Sequence, residues 1–391
     1  MNLRRTVGAL GATALLTVLT ACGASSTNSA PASAGDSALT VTDVAGRTVT
    51  FDHKPERVVL GEGRGVFVTA ILNHDNPFEH VVAMGSDLKT AAPSYYEKIK
   101  KENPDFTSIP TIGAIAKGDV SVENLVSYNP DVVILTKDHY DAAQGTGMID
   151  KMDQAGLKYV VTDFRQHPLE NTTKSVELYG KIFDKNDEAK KFNDNWHEVV
   201  DGVREKTANV TEKPKTFFWR AGGFAECCAT NNKSNMGEFI DAAGGENIGD
   251  HLIDGESGSI TPEKLIEQNP QVIIASGGSW SSDNDKQQAV PHAALGYSTE
   301  QAHARETLNG LVKTPGFDQL SAPKNDKLYG VWHQYYDSPF NYLAIQQFAQ
   351  WLHPELFPQT DMDAELKKAH EQFMPFDVSG TFFVSQAEKQ K

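Results

Sequence analysis

The sequence predicts an α/β protein of two doubly wound α/β lobes, which are joined by a single long α-helix and hold a ligand cleft between them. Three features lead to this prediction: a helix–turn–strand unit that occurs twice, β-branched runs that alternate with helical patterns, and one long amphipathic segment near the middle of the chain. Strands that alternate with helices are typical of parallel sheets with helices on both faces. With 391 residues, 39% of them hydrophobic, the chain is long enough for two domains with proper cores.

The repeated unit spans residues 121–134 and recurs over residues 261–274. Each copy begins with a hydroxyl residue suited to cap a helix and carries a glutamate two residues later, Glu123 or Glu263. An Asn-Pro pair then ends the helix, because proline disfavours a helical conformation in the residue before it, and a β-branched run follows. Two copies in the same register indicate two related lobes, each with an exposed glutamate at an equivalent helix start.

Further elements follow from periodicity. In the first lobe the alternation of residues 39–52 predicts a β-hairpin, and Val66 to Leu72 a helix. Strands are predicted over residues 57–60, 81–84, 109–112, 132–135, 158–161, 215–219, 272–275 and 327–331. Helices are predicted over residues 235–243, 339–352 and 365–373. The polar and irregular segment 281–304 favours a surface insertion.

Between the two sets of strands the pattern becomes purely helical. It predicts one helix over residues 171–183 and another over residues 187–207, which has a length of about 30 Å at 1.5 Å per residue. We expect this second helix to join the lobes. The chain then divides into an N-terminal lobe (residues 39–170), a helical linker that contains the joining helix (171–212) and a C-terminal lobe (213–391).

The first 38 residues do not belong to the predicted fold. Arg4 and Arg5 precede an apolar run that is too short to span a membrane and ends in Leu-Thr-Ala-Cys. Residues 1–21 therefore read as an export signal, and the small residues before Cys22 resemble a bacterial lipobox, in which that cysteine is lipidated. The alternative is an ordinary signal peptide followed by a coincidental cysteine. Residues 22–38 are rich in Ala, Ser and Gly and predict a flexible tether, so the body is expected to be anchored on the extracytoplasmic face of the cell membrane.

Charge and cysteine content narrow the function classes. The net charge of −16 argues against nucleic acid or an anionic membrane surface as a partner, since both require a basic face. We expect a monomer. Beyond Cys22 the chain has only Cys227 and Cys228, which in an oxidising compartment form a vicinal disulfide, remain two free thiols or bond to another molecule.

Candidate ligand-binding residues follow from the expectation that ligands bind beyond the carboxyl ends of parallel strands. The residues that meet this criterion are Arg64, Tyr140, Arg165, Arg220, Trp280, His333 and Tyr336. Arginine suits a chelate that carries carboxylate or catecholate oxygens, because its planar guanidinium makes charge-assisted pairs. Aromatic faces can cover the apolar parts of such a chelate. We expect no cofactor and no metal ion bound directly by the protein.

The whole predicted body resembles the substrate-binding lipoproteins of iron-complex ABC importers, which receive ferric siderophores, haem or cobalamin. Besides the paired Glu-bearing units, the resemblance is carried by residues 41–59, 242–248 and 351–357, which read VTDVAGRTVTF with KPERVV, AAGGENI and WLHPELF. It implies a ligand cleft between two lobes that move only slightly on binding. It also implies that Glu123 and Glu263 contact arginines of an ABC permease dimer, which works with a cytoplasmic ATPase.

We therefore expect capture of a ferric siderophore and consider four alternatives. Haem is the first, with His139 or Tyr140 from one lobe and His333 or Tyr336 from the other as iron ligands, since haem iron accepts both residue types. Bare ferric ion held by the tyrosine pairs at 95–96 and 335–336 is the second. The third is an exported hydrolase, although the sequence has no G-x-S-x-G, H-E-x-x-H or Walker motif. A purely structural envelope protein is the fourth.

Overall fold

The computed structural model describes residues 38–224, 227–280 and 291–387. The predicted signal peptide, Cys22 and most of the predicted tether lie outside the described residues, as do residues 281–290 of the predicted insertion.

The strands are β1 (Leu39–Thr42), β2 (Thr48–Phe51), β3 (Val58–Leu60), β4 (Val81–Gly85), β5 (Thr111–Ile112), β6 (Val132–Thr136), β7 (Tyr159–Thr162), β8 (Lys215–Trp219), β9 (Ala229–Asn231), β10 (Glu246–Asn247), β11 (Ser257–Ser259), β12 (Val272–Gly277), β13 (Leu328–Trp332) and β14 (Phe383–Ser385). The α-helices are α1 (Val66–Leu72), α2 (Asp87–Ala91), α3 (Pro93–Glu102), α4 (Val122–Ser127), α5 (Lys137–Gly145), α6 (Met148–Gln154), α7 (Pro168–Ile182), α8 (Asn186–Thr207), α9 (Met236–Ala242), α10 (Pro262–Gln268), α11 (Gln301–Gly310), α12 (Ser321–Lys324), α13 (Asn341–Leu352) and α14 (Met362–Phe373).

Each lobe is built on a five-stranded sheet with helices around it, which confirms the predicted α/β class and the two-lobed architecture. The first sheet has the order β5-β4-β3-β6-β7 and is parallel throughout. The second has the order β10-β8-β12-β13-β14, in which β14 runs antiparallel to β13. The sequence did not predict this antiparallel edge strand. The predicted hairpin is confirmed, since β1 and β2 pair antiparallel with Leu39 opposite Phe51.

Each sheet reverses its winding beside its first strand, and such a point commonly holds a ligand in parallel sheets. In the first sheet the chain moves outward in one direction from β3 to β5 and then crosses to β6 on the other side of β3. In the second sheet the reversal falls between β8 and β12. Loops diverge at such a switch point and leave a crevice at the carboxyl ends of the strands. The loops after β3, β6, β8 and β12 are therefore the ones expected to form a binding site.

The joining helix α8 packs against both lobes, touching α1 and α7 on one side and α9 and α13 on the other. Its buried residues include Phe192, Trp196, Val200 and Val203, which recur every three or four positions on one face. At 1.5 Å per residue, its 22 residues extend about 33 Å. One hydrophobic core runs through this helix into both lobes, so the two lobes share buried surface instead of touching only at a hinge.

A buried polar relay also ties the joining helix to both lobes. The indole Nε1 of Trp196 donates to Oδ1 of Asn341 in α13 at 2.7 Å, and Nδ2 of Asn341 lies 2.7 Å from the hydroxyl of Thr172 in α7. All three side chains are buried. Buried polar groups are costly without partners, so this relay favours one fixed arrangement of α7, α8 and α13.

Two local predictions were wrong. His139 and Tyr140 lie in the helix α5 and not in a loop, because the run after β6 turns directly into helix. Within the described part of segment 281–304, Ala293, Leu295 and Tyr297 are buried, so that part belongs to the core and is not a surface insertion. Across residues 38–224, 227–280 and 291–387, we find no helix that is both long enough and apolar enough to cross a membrane.

Candidate functional site

The centre of the site is a buried ion cluster in which side chains of the two lobes meet. Arg64 lies in the turn after β3 and Arg165 in the loop after β7, both in the first lobe. Asp337 ends the turn after β13 in the second lobe. Its Oδ2 lies 3.0 Å from Nη1 of Arg64 and 2.6 Å from Nη2 of Arg165. One carboxylate of the second lobe therefore bridges two guanidinium groups of the first.

Glu62 makes the same bridge from within the first lobe. Its Oε1 lies 2.6 Å from Nη2 of Arg64 and 2.8 Å from Nη2 of Arg165, and 3.3 Å from Nε2 of His139. Two further guanidinium nitrogens have carboxylate partners, because Nε of Arg64 donates to Asp87 at 2.8 Å and Nη1 of Arg165 donates to Asp138. Two arginine charges thus face four carboxyl groups.

Burial and the charges of the two arginines act in opposite directions on the pKa values of the two bridging carboxyl groups. Burial by itself would raise the pKa of Glu62, but the guanidinium groups of Arg165 and Arg64 outweigh burial and hold this pKa well below its ordinary value. Burial raises the pKa of Asp337 to about 7; Arg165 and Arg64 oppose the rise, and the negative charge of Glu62 adds to it. The two groups titrate as a pair, in which Glu62 carries the charge and Asp337 holds a proton up to near neutral pH.

Aromatic side chains of the second lobe cover this cluster. The phenol oxygen of Tyr336 accepts from Nη1 of Arg64, and its ring lies 5.4 Å from Cζ of Arg64 and 5.2 Å from Cζ of Arg165. The ring of His333 lies 4.5 Å from that of Tyr336, and its Nδ1 is 2.8 Å from the hydroxyl of Ser276. Burial and the charges of Arg220, Arg64 and Arg165 lower the pKa of His333 to about 3. His333 is therefore a neutral imidazole at every physiological pH.

A recess of about 210 Å³ opens between the lobes beside the cluster. Its walls come from both lobes: Asp138, Arg165, Gln166, Arg220, Asn231, Ser234, Asn235, Glu256, Ser257 and Tyr336. Arg220 is exposed here, and among the described residues its guanidinium has no carboxylate partner. Three further polar atoms of the recess walls are buried and lack a hydrogen-bond partner within the described chain, namely Oδ1 of Asp138, Nε of Arg165 and Oδ1 of Asn231.

Asn235 holds the two lobes together at this recess. Its side-chain amide donates to the carbonyl of Arg165 at 2.8 Å and to that of Tyr336 at 3.3 Å, while its Oδ1 accepts from the backbone of Met236 at the start of α9. Its φ is +53°, a conformation that costs energy for a residue other than glycine. Such strain is maintained only where surrounding bonds require it, and here those bonds position two recess residues.

The predicted site residues are not all brought together. Arg64, Arg165, His333 and Tyr336 meet in the cluster, and Arg220 lies at the recess. Trp280 packs against the ring of His333 at 5.1 Å, and its Nε1 reaches across to the carbonyl of Ala91 in the first lobe at 3.0 Å. Tyr140 lies apart, because its hydroxyl accepts from Gln144 at 2.9 Å and its ring lies 6.2 Å from that of Tyr159.

Sequence reasoning missed the acidic half of the site. Glu62, Asp138 and Asp337 each lie within two residues of a predicted ligand contact, Arg64, Tyr140 or Tyr336. Their position beside predicted ligand contacts was the available signal. Acidic residues in loops are usually solvated, however, so sequence reasoning does not select them as site residues. One tyrosine of each pair in the bare-iron hypothesis, Tyr95 and Tyr335, is fully buried in the core.

Cys227 and Cys228 are joined by a disulfide in the structure. Cys228 is buried, and its backbone exchanges two hydrogen bonds with Ile260, with N···O distances of 3.1 and 3.0 Å. The pair lies in the sequence between Arg220 and Asn231, two residues of the second lobe that line the recess.

Glu123 and Glu263 are exposed at the starts of α4 and α10. The hydroxyl of Ser121 caps one helix and that of Thr261 the other, each accepting a backbone N–H three residues on, at 3.2 and 3.3 Å. Backbone N–H groups and these hydroxyls lower the pKa of both glutamates, so both carry a negative charge at neutral pH. The two repeated units thus present equivalent charged side chains.

The structure has two α/β lobes around a shared polar recess and one long helix packed against both. These features define a solute-binding protein whose lobes are joined by a single long helix. The chain belongs to the periplasmic binding protein family, whose model matches residues 74–335. Members of this family work outside the cytoplasm as the non-enzymatic, substrate-binding components of ABC importers and deliver solute to a permease.

Comparison with known proteins agrees with this assignment. The crystal structure of the TroA-like periplasmic binding protein FepB from Veillonella parvula superposes with a TM-score of 0.79 at 26% identity, over 89% of this chain and 99% of that one. The periplasmic heme-binding protein RhuT from Roseiflexus sp. RS-1 superposes with a TM-score of 0.53 at 18% identity, over 77% of this chain and 99% of that one, which shows the fold alone.

A curated relative matches over a shorter stretch. The high-affinity heme uptake system protein IsdE of Staphylococcus aureus (strain Newman) is 29% identical over 121 residues, which is 31% of this chain. The match spans 40% of the length of that relative.

Proposed function

We propose that this chain is an extracytoplasmic solute-binding lipoprotein that captures a ferric siderophore in the recess between its lobes and delivers it to an ABC permease. The observation that carries the proposal is the recess itself, which combines the exposed guanidinium of Arg220 with three buried polar atoms that have no partner within the described chain. Buried polar atoms are normally satisfied. Nε of Arg165 calls for an acceptor such as a chelate oxygen, whereas Oδ1 of Asp138 and Oδ1 of Asn231 call for hydrogen-bond donors of the ligand.

The chemistry of the walls supports an iron chelate. Arg220 and Nε of Arg165 offer donors to negatively charged oxygens, and the rings of Tyr336 and Trp280 offer aromatic faces beside them. A chelate brings its iron already ligated, so the protein needs to contact only the organic shell. The recess is smaller than the roughly 300–1,000 Å³ of a typical small-molecule pocket, so part of the chelate would project into solvent or the lobes would move apart slightly.

Titration of intrinsic tryptophan fluorescence with a panel of chelates tests the proposal. The panel comprises a ferric tris-catecholate, a ferric trihydroxamate, ferric citrate, haemin and cobalamin, and native mass spectrometry identifies the adduct. We expect saturable quenching by a ferric chelate and about tenfold weaker binding by Arg220→Ala, the scale of one hydrogen bond to a charged group. Arg204→Ala, which removes an exposed arginine from the joining helix, is the matched control and should bind like the wild type. Absence of binding to every ferric siderophore would overturn the proposal.

Haem is a second candidate that one observation favours. His333 is neutral, its Nδ1 is engaged by Ser276, and its ring lies beside the phenol of Tyr336 at the cleft, so two residue types that ligate haem iron adjoin one another. The relatives IsdE and RhuT are named for heme. A Soret band after mixing with haemin, shifted in His333→Ala and in Tyr336→Phe, would assign haem as the solute. Binding of haemin without a shift in either variant would exclude both residues as ligands.

Membrane attachment and docking complete the proposal. Lipidation of Cys22 would tether the body beside the importer, and Glu123 and Glu263 would contact arginines of the permease dimer. The equivalent placement of these two charged residues at the starts of repeated helices supports a partner with matching two-fold sites.

A further inference from the structure

The carboxylate of Asp337 holds the position on the two arginines that an anionic ligand group would need. It lies 3.0 Å from Arg64 and 2.6 Å from Arg165, and it reaches them from the opposite lobe. Guanidinium groups form their strongest hydrogen bonds with carboxylates and similar anions. An anionic solute and Asp337 are therefore alternatives for the same donors.

The charge balance of the cluster favours this competition for an anion that approaches the nitrogens held by Asp337. Glu62, Asp87 and Asp138 already neutralise the two arginines, since three carboxylates contact two guanidinium groups before Asp337 is counted. A negatively charged chelate that approaches the cluster would meet an excess of negative charge. It can reach the arginine nitrogens that Asp337 contacts only if this carboxylate moves away. Of the four carboxyl groups of the cluster, Asp337 is the one that belongs to the second lobe.

We propose that Asp337 acts as an internal competitor for the solute: an anionic chelate binds by displacing its carboxylate from Arg64 and Arg165, and the displaced carboxylate takes up one proton from solvent. This inference rests on the proposed function and specifies the charge of its ligand. The proton balance is simple, because the carboxylate and a proton from the buffer give the neutral carboxylic acid, and no other group changes.

The surroundings of Asp337 determine that it is the group that takes up the proton. It is faced by Glu62 and Arg64 from the turn after β3, by Arg165 from the loop after β7, by Tyr179 from α7 and by Tyr336 of its own turn. His139 of α5 contacts Glu62 behind them. The arginines are the groups that favour the ionised form of Asp337, while burial and Glu62 disfavour it and already raise its pKa to about 7. When the arginines turn to the ligand, the protonated form is favoured further.

Isothermal titration of the full-length protein at pH 8 and pH 6 tests the inference, with a strongly anionic ferric tris-catecholate and an uncharged ferric trihydroxamate as probes. In two buffers of different ionisation enthalpy, the wild type should take up as much as about one proton per anionic chelate bound at pH 8. Asp337→Asn should take up none. This variant should bind the anionic chelate about tenfold more tightly at pH 8, with a smaller gain at pH 6, and should leave binding of the uncharged chelate unchanged. Asp318→Asn, which removes an exposed carboxylate from the same lobe, should behave like the wild type.

The outcomes separate this inference from the proposed function. Suppose that the wild type binds the anionic ferric chelate, that Asp337→Asn binds it no more tightly, and that the two proteins take up the same number of protons. The inference is then overturned and the proposed function stands. If only Asp337→Asn binds an anionic chelate, the inference is supported, because removal of the competitor exposed the site. If neither protein binds any chelate, both fail. Proton uptake by the wild type needs no variant, so the inference stays falsifiable even if Asp337→Asn does not fold.

Discussion

Replacing Asp337 by asparagine should change how the stability of the protein depends on pH. Asp337 is buried, and its pKa in the folded protein is about 7 against an ordinary value of 3.8. At pH values between these two, the folded state binds a proton at this position that the unfolded state has lost. The stability that Asp337 contributes is therefore complete below about pH 4 and is lost as the pH rises toward 7.

The size of the effect follows from the same two values. About three pH units separate them, and each unit is worth about 1.4 kcal/mol, which gives roughly 4 kcal/mol as the upper limit. Between pH 5 and pH 8 the titration covers about two of these units. The stability of the wild type relative to Asp337→Asn should then fall by roughly 3 kcal/mol, because asparagine does not titrate.

Chemical denaturation of both proteins at pH 5 and pH 8 measures this difference, and Asp318→Asn again serves as the exposed carboxylate control. Glu62→Gln provides a second check on the cause. Removal of the negative charge of Glu62 lowers the pKa of Asp337, so the stability of this variant should depend less steeply on pH in the same range. A gap between wild type and Asp337→Asn that stays constant within about 1 kcal/mol from pH 5 to pH 8 would refute the reasoning.

Three further predictions concern other parts of the molecule. Asn341→Leu should lower the free energy of unfolding by about 2–4 kcal/mol in chemical denaturation, because it leaves the buried indole and hydroxyl partners of the relay unsatisfied; a loss below about 0.5 kcal/mol would contradict the relay. Reversing the charge of both Glu123 and Glu263 to lysine should abolish solute uptake by whole cells and leave solute affinity unchanged, since both residues are exposed and neither lines the recess; normal uptake would exclude them from docking. Replacing Cys227 and Cys228 by serine should lower both the melting temperature and the solute affinity, because the disulfide stiffens the segment between Arg220 and Asn231, two residues that line the recess; unchanged values would remove that role.

Much of the fold could be predicted because its signals are local. The helix over Val66–Leu72 and the strand over Lys215–Trp219 have the predicted bounds, and the joining helix begins one residue earlier than predicted. Hydrophobic periodicity, capping residues and Asn-Pro stops act within a few residues of one another, so the sequence alone expresses them. Helices such as α3 and α5 were missed because their sequences are polar and their apolar stripe is short.

The sequence by itself determined the class of the protein: two related α/β lobes, one joining helix, arginines and aromatics at the carboxyl ends of strands, and a glutamate at the start of each repeated helix. Only the tertiary structure decided how the site works. It paired Arg64 with Asp337 across 273 positions of sequence, placed Tyr140 outside the cluster and made His333 a neutral imidazole. The physical reason is that the charge state of a buried group depends on which other charges lie within a few ångströms of it, and packing between lobes sets those distances where local sequence patterns do not.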